Sequence, residues 1–89
     1  MPARSLRIQN MKGLHARASA KLVEVVEAHD AQATVSKDGM EASGDSIMGL
    51  LMLAAGIGSE IEVATEGPEA EGLMEAIAAL VADKFGEGD

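Results

Sequence analysis

Apolar and polar residues alternate along four short stretches of the chain, with the period expected of half-buried β-strands. The predicted strands are residues 4–9, residues 32–37, a return strand that starts at Met40, and residues 60–65. Asp38 and Gly39 stand between the second and third strands and are typical of a two-residue hairpin. The residues predicted to face the core from these strands are Leu6, Ile8, Ala33, Val35, Met40, Ala42, Ile61, Val63 and Thr65.

Three further stretches place apolar residues at helical spacing. The first runs from Ala16 to about His29, and the second from Ile47 to about Ala54. Asp45 or Ser46 is predicted to cap the second helix, which Gly56 and Gly58 are predicted to end. The third helix follows the turn at Gly67 and Pro68. The inward residues of the first and third helices are Ala18, Leu22, Val25, Val26 and His29, and Leu73, Ile77, Leu80 and Val81.

The element order is therefore β-α-β-β-α-β-α. Strands that alternate cleanly favour an antiparallel sheet with one exposed face, so all three helices are expected on the other face. This arrangement is a two-layer α/β (α+β) domain, an open-faced sandwich that spans residues 1–89 as a single unit. A ferredoxin-like fold shares the first six elements and stays an alternative at this point.

Composition narrows the class of protein. Cysteine is absent, no apolar stretch reaches the roughly 18 residues of a membrane helix, and the N-terminus does not resemble a signal peptide, so we expect a cytoplasmic protein without a membrane partner. The net charge of -8 argues against a nucleic-acid binder. Six of the seven basic residues nevertheless lie within the first 37 positions, and three of them, Lys12, Arg17 and Lys21, predict a local cationic ring.

The stretch Gly13-Leu14-His15-Ala16-Arg17 carries the candidate chemistry. His15 stands where a loop becomes a helix, so the free backbone N–H groups of Ala16 and Arg17 and the positive end of the helix dipole predict an anion site beside its ring. Arg17 can offer a planar fork to phosphate oxygens. A ring nitrogen of His15 can act as the nucleophile. The residue pattern indicates no cofactor and no metal site.

The same residues resemble the active-site signature of the HPr family, the histidine phosphocarriers of the bacterial phosphotransferase system. The resemblance covers nearly the whole chain and includes the segment Asp45-Ser46-Ile47-Met48-Gly49-Leu50-Leu51-Met52-Leu53. The run Leu50–Leu53, with Ile61–Val63 and Gly67-Pro68, looks most similar to NPr, the nitrogen-related branch. The chain departs from the family pattern in two ways. Ala18 replaces the usual proline, and Glu24 and Glu27 stand where sugar-transport HPr proteins often carry lysines.

The resemblance implies a carrier with a phosphohistidine intermediate rather than a free-standing catalyst. His15 would accept phosphate on Nδ1 from enzyme I, which is charged from phosphoenolpyruvate, and would donate it to a IIA-type protein. Arg17 would be the phosphate partner. The implied fold is the HPr open-faced β-sandwich, with four antiparallel strands and three helices on one face.

The second helix is unusually apolar, because residues 47–54 contain no charge. Some of its apolar side chains must face solvent, which predicts a docking patch. The predicted docking residues are Lys12, Ala20, Lys21, Ile47, Met48, Leu51 and Met52. Ser46 is expected to cap this helix, and by resemblance it matches the residue that HPr kinase/phosphorylase modifies in some bacteria.

Two other interpretations remain open at this point. An acidic acyl carrier protein would carry phosphopantetheine on Ser46, but that fold is all-α and disagrees with the alternating strands. A ferredoxin-like regulatory domain would make His15 incidental to function.

Overall fold

A four-stranded antiparallel sheet, covered on one face by three α-helices, makes up the computed structural model, which describes residues 2–87. The elements are β1 (Ala3–Arg7), α1 (Ala16–Glu27), β2 (Gln32–Lys37), β3 (Met40–Ser43), α2 (Ile47–Met52), β4 (Glu60–Glu66) and α3 (Ala70–Ala82), followed by a 3₁₀ turn at Lys84–Gly86. The predicted fold class and element order are therefore confirmed. Because an acyl carrier protein would be all-α, the four strands exclude that interpretation.

The strands lie in the order β1-β4-β2-β3, and every neighbouring pair is antiparallel. Val63 of β4 is central to the register, since it pairs with Arg4 of β1 on one side and with Val35 of β2 on the other. Val35 and Val63 are buried beneath the helices, whereas Glu60 and Glu62 lie on the exposed face. The alternation in the sequence thus identified the core face of the sheet correctly.

The β2–β3 hairpin turns at Asp38 and Gly39, whose φ angles are 52° and 83°. Positive φ at both central residues is the geometry of a type I′ turn, so the hairpin prediction is confirmed. Met40, which we expected to face the core, is instead 48% exposed. It pairs with Lys37 at the last position of the hairpin ladder, where the side chain of Met40 lies largely in solvent.

The only aromatic residue, Phe85, is fully buried in the core cluster, although it follows the last helix. The chain reaches this position through three consecutive residues with left-handed backbone, Lys84, Phe85 and Gly86, with φ of 54°, 54° and 75°. This turn redirects the chain after the end of α3, so that the Phe85 ring enters the core. Periodicity did not predict it, because a single apolar residue has no period.

Helix α2 ends two residues earlier than predicted, at Met52, and its end differs from the expected one. Ala54, and not a glycine, adopts the left-handed conformation after the helix, with φ of 53°. The expectation that Gly56 and Gly58 end α2 is therefore wrong. Helix α1 also ends earlier than predicted, at Glu27. Within residues 2–87 no helix combines the length and the apolar character needed to cross a membrane.

Ser46 caps α2, as the sequence predicted, since its Oγ accepts a hydrogen bond from the backbone N–H of Gly49 at 3.0 Å. Replacing Ser46 with alanine removes this acceptor, and we expect the free energy of unfolding to fall by about 1 kcal/mol. For a domain of this size, that loss lowers the Tm by roughly 4–8 °C in a thermal melt followed by circular dichroism. The control Ser46→Asp retains an acceptor and should melt close to the unmodified chain. An alanine variant as stable as its parent would contradict the assigned cap.

Candidate active site

The loop before α1 is anchored on the segment that follows α2. The N–H of Leu14 donates to the carbonyl of Ala55 at 2.8 Å, and the N–H of Gly13 donates to the carbonyl of Asn10 at 3.1 Å. Gly13 has a φ of 65°, and a Cβ at this position would lie 2.4 Å from the oxygen of Ala55. Only glycine satisfies both the backbone angle and the close approach. The loop therefore presents the residue after Leu14 in a fixed place.

That residue is His15, which occupies the N-cap position of α1 with extended backbone. The first N–H with an acceptor inside the helix is that of Ser19, which donates to the carbonyl of His15 at 2.8 Å. The N–H groups of Ala16 and Arg17 precede it and lie at the positive end of the helix, where an anion is favoured. The predicted position of His15 at the N-terminus of a helix is therefore confirmed.

The structure adds a carboxylate that the sequence did not predict. Nε2 of His15 forms a hydrogen bond with Oε2 of Glu87, a residue 72 positions further along the chain. Both side chains are largely shielded, with 27% of His15 and 11% of Glu87 exposed. The buried ring of Phe85 brings Glu87 to this place, and Lys21 secures the turn by donating from Nζ to the Phe85 carbonyl at 2.6 Å.

The contact with Glu87 determines which nitrogen of His15 carries the proton. An ionised carboxylate only accepts hydrogen bonds, so Nε2 must be the protonated nitrogen. In the neutral imidazole the other nitrogen, Nδ1, then has the free lone pair. The arrangement thus provides a nucleophilic nitrogen at the N-terminus of a helix, beside residues that can bind an anion.

Basic residues line the cavity that contains His15, as expected. Lys12, Arg17 and Lys21 line the same open cavity as His15, together with Met11, Gly86 and Glu87. Lys12 and Arg17 are exposed, whereas Lys21 is half-buried because its ammonium group binds the Phe85 carbonyl. The predicted cationic ring is therefore present. One of its residues, Lys21, also binds the segment after α3, residues 84–87, which we call the tail.

The same contacts lower the pKa of the Glu87 carboxyl. The hydrogen bond from His15 has the largest effect, followed by the hydrogen bond from Asn10, while burial opposes both by raising the pKa. A lowered pKa in the folded state means that the ionised carboxylate stabilises the fold. This contribution is complete above the ordinary glutamate pKa of about 4.3 and is lost as the pH falls through the lowered value.

We therefore expect the unmodified chain to be more stable than Glu87→Gln near neutral pH, and this difference to disappear on acidification. Urea unfolding between about pH 3 and pH 7 measures it. Glu27→Gln, which changes an exposed carboxylate on α1, is the matched control. A difference between Glu87→Gln and its parent that grows as the pH falls would contradict the assigned contact.

Residues 2–83 match the model of the family described as the PTS HPr component phosphorylation site. The chain belongs to the HPr family. The phosphocarrier protein HPr of Cupriavidus necator is 46% identical to it over the full length of both chains. The phosphocarrier protein NPr of Shewanella violacea is 42% identical, and the match covers 94% of this chain and 92% of that protein.

Solved structures of the HPr family share the fold. An HPr from Thermoanaerobacter tengcongensis superposes with a TM-score of 0.93 at 33% identity, and the match covers 98% of each chain. An HPr from Bacillus anthracis gives a TM-score of 0.86 at 38% identity, with 90% of this chain and 95% of the other covered. This chain is thus an HPr-type phosphocarrier component of the phosphotransferase system, and the ferredoxin-like interpretation is set aside.

Helix α2 of this HPr-family chain exposes the apolar side chains that its composition predicted. The exposed fractions are 40% for Ile47, 69% for Met48 and 65% for Met52, while Leu51 is half-buried. Leu50 and Leu53, in contrast, are buried in the core. The expectation that part of this helix faces solvent is confirmed.

The second histidine has a different environment. His29 follows the C-terminal end of α1, where its Nδ1 donates to the carbonyl of Val25 at 2.8 Å. This contact engages the His29 ring with a backbone carbonyl of the last turn of α1. Within residues 2–87, no group of three His, Cys, Asp or Glu side chains is arranged to hold a metal ion.

Proposed function

We propose that this chain is a single-domain cytoplasmic carrier that accepts a phosphoryl group on Nδ1 of His15 and passes it to another protein. The observation that carries the proposal is the hydrogen bond between Nε2 of His15 and Glu87, at the N-terminus of α1. It leaves Nδ1 as the nitrogen with a lone pair. Membership of the HPr family supports the same chemistry.

The transfer step needs no further group. The lone pair of Nδ1 forms a bond to phosphorus while the bond between phosphorus and the donor's leaving group breaks. The leaving group keeps the electron pair, and the proton on Nε2 stays in place. The ring then carries a positive charge, which the Glu87 carboxylate compensates. Reversal of the step on another protein regenerates the neutral ring.

Positioning of the phosphoryl group falls to α1. The backbone N–H groups of Ala16 and Arg17 lie at its N-terminal end, where they can donate to phosphoryl oxygens. The guanidinium of Arg17 lines the same cavity and can bind two oxygens at once. Because neither contribution requires proline at position 18, Ala18 is compatible with the proposed step.

The partners we propose are those of the family: phosphorylated enzyme I as the donor and a IIA-type protein as the acceptor. The proposed docking surface joins the cationic cavity to the exposed face of α2. Its residues are Lys12, Ala20, Lys21, Ile47, Met48, Leu51 and Met52. Apolar contacts would supply affinity, and the positive charges would attract an acidic partner.

We propose that the chain acts in a nitrogen-related or regulatory phosphotransferase system. The 42% identity with an NPr supports it, and so do Glu24 and Glu27, which present negative charge on the exposed side of α1. A partner adapted to lysines at these positions would be repelled. This difference would direct the chain to a donor other than that of sugar transport.

Ser46 is the residue at which we propose regulation by an HPr kinase/phosphorylase. It lies at the N-terminus of α2, directly before Ile47 and Met48, so a phosphate there would place nearly two negative charges beside the docking surface. The variant Ser46→Asp retains the helix cap and adds only charge. Reduced binding of enzyme I to Ser46→Asp, with unchanged folding, would support this role.

Transfer between purified proteins tests the proposed function directly. The full chain is incubated with labelled phosphoenolpyruvate and enzyme I, from both sugar-transport and nitrogen-related systems, and then with IIA-type proteins. We expect acid-labile label that moves to an acceptor, and faster transfer from the nitrogen-related enzyme I. Acid-stable label under the same conditions would contradict a phosphohistidine carrier, and equal rates with both donors would contradict only the proposed branch.

A further inference from the structure

Asn10 lies between the loop that presents His15 and the tail that carries Glu87, and it is fully buried although it is polar. Its Nδ2 donates to the carbonyl of Gly13 at 2.7 Å and to Oε1 of Glu87 at 3.0 Å. The other oxygen of the same carboxylate binds Nε2 of His15. A continuous set of hydrogen bonds therefore connects the loop backbone, Asn10, Glu87 and the ring.

The two acceptors fix the orientation of the Asn10 amide. If the amide were turned over, Oδ1 would face the Gly13 carbonyl and the Glu87 carboxylate, both of which can only accept. In the observed orientation, Oδ1 is buried and has no donor within residues 2–87. A buried polar atom without a partner destabilises the fold. The two hydrogen bonds that the amide donates, to the Gly13 carbonyl and to Glu87, therefore account for its place in the interior.

Glu87 needs such support because of where it lies. It follows the left-handed turn at Lys84–Gly86, and a glutamate side chain has several rotatable bonds whose ordering is entropically unfavourable. Hydrogen bonds to both carboxylate oxygens hold the group in one geometry, one bond from His15 and the other from Asn10. Without Asn10, one oxygen would lose its partner and the side chain would gain freedom.

We infer that Asn10 is a positioning residue for phosphoryl transfer: it holds the Glu87 carboxylate against Nε2 of His15 and so keeps Nδ1 as the unprotonated nitrogen. The inference rests on the proposed function of His15. Asn10 touches neither the reacting nitrogen nor the cavity in which the phosphoryl group would lie, and it acts through Glu87. Its effect must therefore depend on the presence of that carboxylate.

A double-mutant cycle of Asn10→Ala and Glu87→Ala in the full chain tests this dependence. The first readout is the proton on Nε2 of His15, observed by NMR of ¹⁵N-labelled protein, which a carboxylate contact protects from exchange with water. The second is the rate at which phosphoramidate, a small phosphoryl donor, labels His15. Asn10→Ala should lose the protected proton and slow labelling about five- to tenfold, the effect expected when one charge-assisted hydrogen bond is lost.

The decisive comparison is the double variant. If Asn10 acts through Glu87, Asn10→Ala should cause no further slowing in the Glu87→Ala background. If labelling of the double variant were slowed by the product of the two single-variant factors, the inference would be overturned. A protected Nε2 proton in Asn10→Ala would overturn it as well. If phosphoramidate fails to label His15 in the unmodified chain, the proposed function fails instead, while the proton signal still decides the role of Asn10.

Two additions separate positioning from a general loss of folding. Gln9→Ala, which removes a neighbouring exposed amide, is the matched control and should change neither readout. The side-chain NH₂ resonances of the native Asn10 are recorded in the unmodified chain and in Glu87→Ala, so that no substitution at position 10 is needed. A shift of these resonances in Glu87→Ala supports the contact, and unchanged resonances would overturn it.

Discussion

Replacing His15 with alanine is expected to reduce phosphoryl acceptance to the background level, the largest functional effect of any single substitution in this chain. The ring supplies the nitrogen lone pair that we propose as the phosphoryl acceptor, and it lies at the N-terminus of α1. Arg17 and the helix N–H groups can bind phosphate oxygens, but they cannot form the bond to phosphorus. The measurement is acid-labile label per mole of protein after incubation with a phosphoryl donor.

His29→Ala is the matched control for this prediction. The ring of His29 lies beyond the opposite end of α1 and is engaged with the carbonyl of Val25. Its removal should leave acid-labile labelling unchanged. If His15→Ala still incorporated acid-labile phosphate while His29→Ala did not, the site would have been assigned to the wrong end of the helix.

Replacing Phe85 with alanine should produce the largest loss of stability. Phe85 is the only aromatic side chain and is fully buried, so its truncation leaves a cavity in the core. Losses of about 3–5 kcal/mol are typical of such substitutions. A domain of this kind is stable by only about 5–15 kcal/mol, so a substantial fraction of the total would disappear. Urea unfolding followed by circular dichroism measures the change.

The same substitution should also affect the site, because Phe85 anchors the tail that carries Glu87. Phosphoryl acceptance by the folded fraction of Phe85→Ala should resemble that of Glu87→Ala. Phe85→Leu, which fills most of the volume, is the control and should lose less than about 1.5 kcal/mol. A Phe85→Ala variant that unfolds at the same urea concentration as Phe85→Leu would show that the ring contributes little to the core.

The sequence predicted the framework because local patterns determine it. Alternation along β2 and β4 identified Val35 and Val63 as core residues, and Asp38-Gly39 located the hairpin. The exceptions lie at the ends of elements, which local patterns locate least well. Ala54 takes a left-handed backbone after α2, and Met40 at the end of the hairpin is exposed.

The candidate site was predicted in part for the same reason. His15 and Arg17 lie within three positions of each other, so their relation to the start of a helix can be read locally. Glu87 meets His15 across 72 positions, and the turn that brings it there uses left-handed angles at Lys84 and Phe85, which no short-range pattern encodes. The one available signal was Phe85, a lone aromatic residue after an acidic helix.

Asn10 illustrates a further limit. It is a polar residue that directly follows the first predicted strand, residues 4–9, and its burial could not be inferred from that position. The loop packs against the segment after α2, and the tail covers its other side. Asn10 is buried by contacts that exist only in the folded chain, and its own sequence neighbourhood does not encode them.

The central claim, that His15 carries the phosphoryl group on Nδ1 while Nε2 remains bonded to Glu87, is tested most directly by NMR. The chain is labelled with ¹⁵N in its histidine rings, phosphorylated, and examined for the one-bond coupling between ³¹P and ¹⁵N. The coupling is expected at Nδ1 of His15, with the proton still on Nε2. Coupling to Nε2, or phosphorus on His29 or Ser46 without any on His15, would contradict the account.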